Sequence, residues 1–279
     1  GAQGAMDFTA QAGCVQYDPV DICGRSPELT YLSRVEGFAS DILNDLLYRK
    51  RDLIDHFDKN LAIFPKEDWP RLRRLRLAWA NTNKARQVDN DTREHVLAHI
   101  REHGPQDASG LGLEGKVDWH WAATSLSRAA LEQLYNEGLL LIHSKKGVLK
   151  TYDLAENCLD AGILGASAPF EDEAAQTAWH ALRRVRAVGL LWNRASDAWL
   201  GTAAWYAPAR QQAFERLLKT GELLPIKVEG LKDTLYLAAA DEAALEASLA
   251  LRESPPRSEL LAPLDSFLWD RRLIRALFD

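Results

Sequence analysis

The sequence predicts a mainly α-helical protein with small β-hairpins, an α+β chain built from tandem winged helix-turn-helix units. Several stretches carry apolar residues at helical spacing between serine starts and glycine stops. Two later segments each run helix, short helix, helix and hairpin, which is the order of a winged helix. Equivalent positions of these segments are 83 residues apart at Gly138 and Gly221, and 84 apart at Tyr152 and Tyr236. Matching offsets in different elements favour a structural repeat over coincidence.

The first 90 residues predict a helical, winged-helix-like domain. The stretch "SDILNDLLYRKRDLIDHF", from Ser40 to Phe57, has apolar residues at helical spacing. Ser40 is suited to cap it, because a serine hydroxyl accepts from the free amides of a first turn. The stretch "PKEDWPRLRRLRLAWA" begins a further helix.

The pattern of residues 91–165 predicts the first winged-helix unit. The stretch "TREHVLAHIREHG" reads as an amphipathic helix that ends at Gly104, and "PQDASGLG" as a turn with a short helix. The third helix is expected near Ser125–Glu137. The pattern of "LLLIH", "SKKG" and "VLKTYDL" predicts a hairpin that turns near Ser144–Gly147.

Residues 166–250 repeat this plan. The stretch "EDEAAQTAWHALRRVRAVG" is a helix, and "ASDAWLG" takes the place of "DASGLG". The third helix is expected near Ala207–Thr220, and the hairpin turn near Glu229–Asp233. Residues 251–279 open with a linker-like proline pair and end in a helical segment. We interpret them as the start of a C-terminal segment that is truncated here.

The charge of the chain is uneven. The formal net charge is −6, which by itself does not indicate a nucleic-acid binder. From Lys66 to Arg86, seven basic residues face two acidic ones, a balance of +5 that leaves −11 for the rest. This segment is either a solvated helix face or a patch that contacts phosphates. No apolar run approaches the roughly 20 residues of a membrane helix, and no signal peptide is evident, so we expect a cytoplasmic protein without a membrane partner.

The cysteines and histidines predict neither disulfides nor a metal centre. Cys14, Cys23 and Cys158 are widely spaced in apolar surroundings and are interpreted as reduced, packed thiols. His95, His99 and His103 could line one helix face, but no further ligand set accompanies them. We therefore expect no metal and no cofactor.

A polar pair interrupts the apolar stretch "GCVQYDPV" near the start of the chain. In an extended segment, Gln16 and Asp18 share a face and Tyr17 points the other way. Pro19 favours extended geometry at Asp18. One interpretation is that both side chains satisfy loop backbone groups, as Asp often does before Pro. The other is that an amide and a carboxylate act together on a substrate.

Three stretches together resemble the YcaQ/AlkZ-like winged-helix DNA glycosylases. They are "AGCVQYDPVDICGRSPELTYLSRV" near the start, the tandem winged helices, and "LLAPLDSFLWDRRLIRALF" at the end. The resemblance implies excision of alkylated bases from DNA and unhooking of interstrand crosslinks. The catalytic signature of that family, Gln, an apolar or aromatic residue, then Gln or Asp, falls on Gln16, Tyr17 and Asp18.

Two departures from the family pattern concern the ends of the chain. Little of the helix that normally precedes the signature is expected here, and the β-rich part that usually follows "WDRR" is missing after Asp279.

The chemistry that the signature would perform fits the resemblance. An N7- or N3-alkylated purine is a cationic leaving group, and its departure leaves an oxocarbenium-like sugar. Asp18 is then expected to activate water and to stabilise the cation, while Gln16 orients the water.

Basic residues in three places are candidates for contacts with double-stranded DNA that carries alkylated bases. They are Lys145, Lys146 and Lys150 in the first hairpin, Arg71, Arg73, Arg74 and Arg76 in the basic helix, and Arg271 and Arg272 in "WDRR". We expect a monomeric, monofunctional glycosylase. A non-catalytic winged-helix transcription regulator and a protein-interaction scaffold are the alternatives, and the salt dependence of DNA binding separates DNA binders from a scaffold.

Overall fold

The structure, a computed structural model, describes residues 1–18, 24–81, 88–119, 122–251 and 258–278. The chain divides into two compact units, each assembled from separate stretches. The first unit comprises residues 1–43, 58–65 and 170–279, and the second comprises residues 44–57 and 66–169. The domain boundaries expected at residues 90, 165 and 250 stay predictions.

Helices account for most of the regular structure in the described ranges. The α-helices are α1 Ala2–Ala12, α2 Ser26–Leu32, α3 Ser40–Asn44, α4 Arg73–Ala80, α5 Asn90–His103, α6 Ala108–Leu111, α7 Leu126–Glu137, α8 Ala155–Cys158, α9 Ala161–Gly165, α10 Glu173–Val188, α11 Ala207–Lys219, α12 Glu242–Ala250 and α13 Arg271–Phe278. Short 3-10 turns occur at Lys66–Asp68, Asp197–Trp199, Ala203–Trp205, Ala239–Asp241 and Ser266–Leu268, and a π-helical turn occurs at Asp45–Arg49.

The strands are short, and every pairing described below is antiparallel. They are β1 Val15–Gln16, β2 Leu53–Asp58, β3 Asn60–Pro65, β4 Lys116–Val117, β5 Thr124–Ser125, β6 Leu140–Lys146, β7 Leu149–Leu154, β8 Leu191–Trp192, β9 Leu223–Ile226 and β10 Leu235–Ala238. A mainly helical chain with small antiparallel sheets was predicted, and the structure confirms it.

The first unit contains the second of the two repeated segments. Helix α10, the 3-10 turns, helix α11 and the β9–β10 hairpin follow one another in the predicted order. Strand β8 completes a sheet of order β8-β10-β9, in which Tyr236 pairs with Leu191. The core of this segment is apolar: Trp199 is fully buried, and its ring meets Phe214 edge-on at 5.7 Å.

The second unit contains the first repeated segment, again in the predicted order of helix α5, helix α6, helix α7 and the β6–β7 hairpin. Tyr152 of β7 pairs with Gln106, as Tyr236 pairs with Leu191 in the other segment. The two tyrosines, 84 residues apart, therefore occupy corresponding places in their sheets.

Ser40 does not cap α3 as predicted, because it is the first residue of that helix and its hydroxyl donates to Glu28 at 2.8 Å. Other helices do begin at a capping side chain. The side chains of Asp89, Ser125 and Asp172 accept from backbone amides of the first turns of α5, α7 and α10. These acceptors satisfy donors that would otherwise lack a partner inside the helix. Gly138 ends α7 in the left-handed region, where glycine is the least strained residue.

One helix prediction is wrong in its second half. The helix that begins at Ser40 ends with the π-helical turn, and Leu53–Asp58 forms strand β2 instead of continuing it. Arg51 has a φ of 60°, which breaks the helical path. The Tyr135 hydroxyl donates to the Asp55 carbonyl at 2.8 Å, and His56 Nε2 lies 2.7 Å from the Tyr135 carbonyl. Tertiary packing thus overrides the local periodicity.

A second correction concerns the start of the chain. Helix α1 spans 11 residues directly before the Gln16 signature, where little helix was expected. Thr9 of this helix is buried, and its hydroxyl lies 2.6 Å from the Tyr31 hydroxyl. Among the helices of the described ranges, none has the length and apolar character needed to cross a bilayer.

Candidate active site

The stretch that carries Gln16 is extended, as predicted. Strand β1 pairs antiparallel with β3, with Val15 opposite Ile63 and Gln16 opposite Ala62. The amide of Tyr17 donates to the Leu61 carbonyl at 2.8 Å, which carries the pairing one residue beyond the strand. Backbone hydrogen bonds therefore fix the path of the chain up to the residue before Asp18.

Gln16 and Asp18 differ in exposure. Gln16 is 8% exposed, and its Oε1 accepts from the Lys59 ammonium at 2.9 Å. Asp18 and Tyr17 are partly exposed. Pro19, which was expected to hold Asp18 extended, lies outside the described residues. The projection of Gln16 and Asp18 from one face stays a prediction.

Sequence reasoning missed Lys59. This lysine follows β2 and is only 3% exposed, and its ammonium lies 4.9 Å from the centre of the Trp269 ring. Burial, and then the Arg184 guanidinium, lowers the pKa of Lys59 to about 8. The signal that could have identified it is a lysine between Asp58 and Asn60 at the junction of two apolar stretches.

Asp58 anchors a buried ion cluster behind Lys59. Arg184 donates to its Oδ1, and Arg183 Nη1 lies 2.8 Å from its Oδ2. Although burial alone raises the pKa of Asp58, the two guanidinium groups outweigh it and hold the pKa below its ordinary value. Arg184 also donates to the Cys14 Sγ at 3.2 Å. The cluster thereby ties helix α10 to Cys14, just before β1, and to Asp58 at the end of β2.

The "WDRR" segment divides into two buried and two exposed side chains. Trp269 is 4% exposed and donates from Nε1 to the Leu264 carbonyl at 3.0 Å. Asp270 is also buried, where it accepts from Trp192 Nε1 at 2.7 Å and from the Leu273 amide at 2.9 Å. Arg271 and Arg272 are exposed in the first turn of α13. Only these arginines are placed for contact with a partner.

The lysines of the first hairpin differ from one another. Lys146 is exposed, but Lys145 does not reach solvent as expected: its side chain is 4% exposed and pairs with Asp55. The Tyr48 hydroxyl donates to the same carboxylate oxygen at 3.1 Å. Lys150 is partly buried, and its ammonium lies 5.9 Å from the centre of the Tyr135 ring. Burial is the larger cause, and the charge of Lys145 the next, of a lowered pKa at Lys150.

The basic helix α4 shows the same division. Arg73 and Arg74 are exposed. Arg71 lies 3.3 Å from Asp68 Oδ1. Arg76 was expected at the surface but is buried, where it donates to the Trp69 carbonyl at 2.6 Å and stacks 3.6 Å over that ring. Lys84 and Arg86 lie outside the described residues.

The cysteines and histidines of the described ranges form no evident metal centre. Cys14 and Cys158 are free and buried, while Cys23 lies outside those ranges. The His99 and His103 rings stack at 4.3 Å on α5, and His95 lies 6.3 Å from His99. Within the described parts of the chain, no group of three or more His, Cys, Asp or Glu side chains is placed to hold a metal ion.

Comparison with known proteins identifies a family and a solved structure of similar fold. The family model described as "DNA glycosylase AlkZ-like" matches residues 9–279, a range that includes both Gln16 and the "WDRR" segment. The structure of the Streptomyces sahachiroi DNA glycosylase AlkZ is similar in fold, with a TM-score of 0.53 and 14% identity. The match covers 88% of this chain and 66% of that one, so this chain spans slightly under two thirds of its length.

Proposed function

The chain belongs to the AlkZ-like DNA glycosylase family, and on that premise we propose that it hydrolyses the N-glycosidic bond of alkylated purines in DNA. N7-alkylguanine and N3-alkyladenine are the expected lesions, because alkylation at these positions makes the base a cationic leaving group. An interstrand crosslink through such a position contains the same bond, so its unhooking is included in the proposal.

The observation that supports this proposal is the hydrogen-bonded path of the chain at Gln16, followed two residues later by the partly exposed Asp18. Hydrogen bonds of β1 and Tyr17 fix the backbone, and Lys59 holds the Gln16 amide. Departure of the base leaves an oxocarbenium-like sugar, which needs nearby negative charge and an aimed water. Asp18, which is partly exposed, takes the proton of the water and stabilises the sugar cation. Gln16 orients that water, and no acid is needed for a leaving group that is already charged.

We propose that exposed basic side chains hold the DNA. Lys146, Arg73, Arg74, Arg271 and Arg272 are the exposed members of the candidate set. Their contacts with phosphates would position the duplex without reading its sequence. Arg71 and Lys150 are partly exposed. We assign Lys145 and Arg76 to packing, because their charged groups are buried against protein.

Excision of N7-methylguanine tests the proposal directly. Wild-type protein incubated with DNA that contains this base should leave abasic sites, which appear as strand breaks only after alkali, as expected of a monofunctional enzyme. Asp18→Asn keeps the shape of the side chain but removes its charge and its basicity. Its single-turnover rate should fall at least about a hundredfold, the usual contribution of a general base.

The controls for this experiment are DNA affinity and thermal stability, both of which should be close to wild type in Asp18→Asn. Undamaged purines should be released far more slowly, because they leave as anions unless they are protonated. Excision by Asp18→Asn at the wild-type rate would contradict the catalytic role. A wild-type protein that binds DNA but excises nothing would indicate a non-catalytic DNA-binding protein.

A further inference from the structure

The contact between Lys59 and Gln16 fixes which end of the glutamine amide faces the lysine. An ammonium group has three donors and no acceptor, so only Oε1 of Gln16 can face it at 2.9 Å. The –NH₂ end of Gln16 must therefore point away from Lys59. An isolated glutamine amide could take either orientation, whereas the neighbouring ammonium group allows only this one.

Lys59 is itself held rigidly. It lies at the junction of β2 and β3, beside Asn60, whose φ is 55°. Its ammonium sits 4.9 Å from the Trp269 ring centre, within the range of a cation–π contact. The hydrogen bond of Trp269 Nε1 to the Leu264 carbonyl fixes that ring. The conformational freedom that a lysine has at the surface is therefore absent here.

We propose that Lys59 is a positioning residue for excision, one that orients Gln16 as a hydrogen-bond donor to the attacking water. The inference rests on the proposed function of Gln16 and Asp18. A water that accepts from Gln16 Nε2 and donates to Asp18 keeps one lone pair for the sugar carbon. Gln16 therefore aims the water, and Asp18 alone removes its proton. The charge behind Oε1 polarises the amide and strengthens its N–H as a donor.

This role gives Trp269 of the "WDRR" segment a function at the site. The first and last stretches of the family resemblance then meet through Lys59, which contacts Gln16 on one side and the Trp269 ring on the other. Neither stretch contains the lysine, so the connection is visible only in three dimensions.

The orientation depends on the protonation of Lys59. A neutral amine has a lone pair and can accept from Nε2, so both orientations of the amide become possible. Burial and, after it, the positive charge of Arg184 lower the pKa of Lys59 to about 8. Cys14, Asp197 and Asp58 act in the opposite direction and raise it. The excision rate should consequently fall as the pH rises through about 8.

A double-mutant cycle tests the proposal after wild-type excision of N7-methylguanine has been established, so a failure of the proposed function appears first and separately. Lys59→Met should reduce the single-turnover rate roughly 10- to 100-fold, the scale of a misaimed reactant. In a Gln16→Ala background the same substitution should have no further effect, because Lys59 acts through Gln16. Equal losses in both backgrounds would show a merely structural role and overturn the proposal.

Two measurements keep the proposal testable if Lys59→Met fails to fold. The fall in excision rate at alkaline pH, expected of the wild type, should be absent from Gln16→Ala. This comparison requires no substitution at Lys59. Lys59→Arg keeps donors without an acceptor and stays protonated, so it should retain excision and lose the alkaline fall. An alkaline fall that persists unchanged in Gln16→Ala would overturn the proposal. So would a covalent complex between Lys59 and abasic DNA after borohydride reduction, since it would make the lysine a nucleophile.

Discussion

At the scale of single residues, close packing around Asp58 supports the candidate site. Gly201 has a φ of 78°, and a Cβ added there would lie 2.2 Å from the Asp58 carbonyl oxygen. The chain after the Asp197–Trp199 turn therefore passes against the backbone that carries Asp58 and Lys59. A side chain at position 201 would push these residues apart, with consequences for the ion cluster and for Gln16.

A left-handed backbone costs an alanine about 1–2 kcal/mol. We predict that Gly201→Ala lowers the free energy of unfolding of the first unit by more than this. The matched control is Gly221→Ala. Gly221 has a φ of 76°, but a Cβ there meets no heavy atom of the described residues within 4 Å. The control should therefore show the backbone cost alone. Urea unfolding with unchanged m-values measures both variants, and equal losses would contradict the close approach at Asp58.

At the scale of elements, the β6–β7 hairpin carries two adjacent lysines with different surroundings. Lys146→Ala should weaken DNA binding at every sequence and lower the slope of log affinity against log salt by about 0.9, the value for one phosphate contact. Lys145→Ala should leave the slope unchanged. It should instead lower the free energy of unfolding by about 3 kcal/mol, because Asp55 would remain buried without its cation.

These two variants separate a binding role from a structural one within a single strand. Binding is measured at several salt concentrations, and stability by urea unfolding. An unchanged slope in Lys146→Ala would show that the hairpin tip does not touch phosphates. A lowered slope in a stable Lys145→Ala would show that its ammonium leaves Asp55 to meet DNA.

The elements that were predicted well from the sequence are those whose caps and apolar spacing lie within the element itself. Helix α7 was expected at Ser125–Glu137 and is found at Leu126–Glu137, and α11 was expected at Ala207–Thr220 and is found at Ala207–Lys219. Caps and apolar periodicity act within a few residues, so one segment contains all the information. Strand β2 was missed because its hydrogen bonds to Tyr135 come from a residue about 80 positions away.

The candidate site shows the same limit. Gln16 and Asp18 were found because they form a short motif, whereas Lys59 and the Asp58 cluster were not. Lys59 lies 43 residues from Gln16, and Arg184 lies 126 residues from Asp58. Exposure was equally hard to predict: Lys145 and Arg76 have exposed basic neighbours, but tertiary contacts bury their charges. Such contacts depend on partners that the local pattern does not specify.

At the scale of the whole molecule, each unit buries a neutral histidine. Burial lowers the pKa of His180 in the first unit and of His56 in the second to about 3. Asp58 opposes the shift at His180, and the Tyr135 carbonyl opposes it at His56. An unfolded histidine titrates near 6.5. Below that pH the unfolded chain binds protons that the folded units do not, so both units should lose stability as the medium becomes acidic.

We predict that the stability contributed by these two neutral histidines is fully present above about pH 6.5 and falls between pH 6.5 and about 3, by up to about 1.4 kcal/mol per pH unit for each histidine. His180→Leu should flatten this dependence for the first unit, because leucine takes up no proton on unfolding. Urea unfolding of the wild type and of His180→Leu at pH 7 and pH 5 measures the difference. An undiminished pH dependence of the first unit in His180→Leu would mean that other groups, such as the carboxylates, dominate its acid sensitivity.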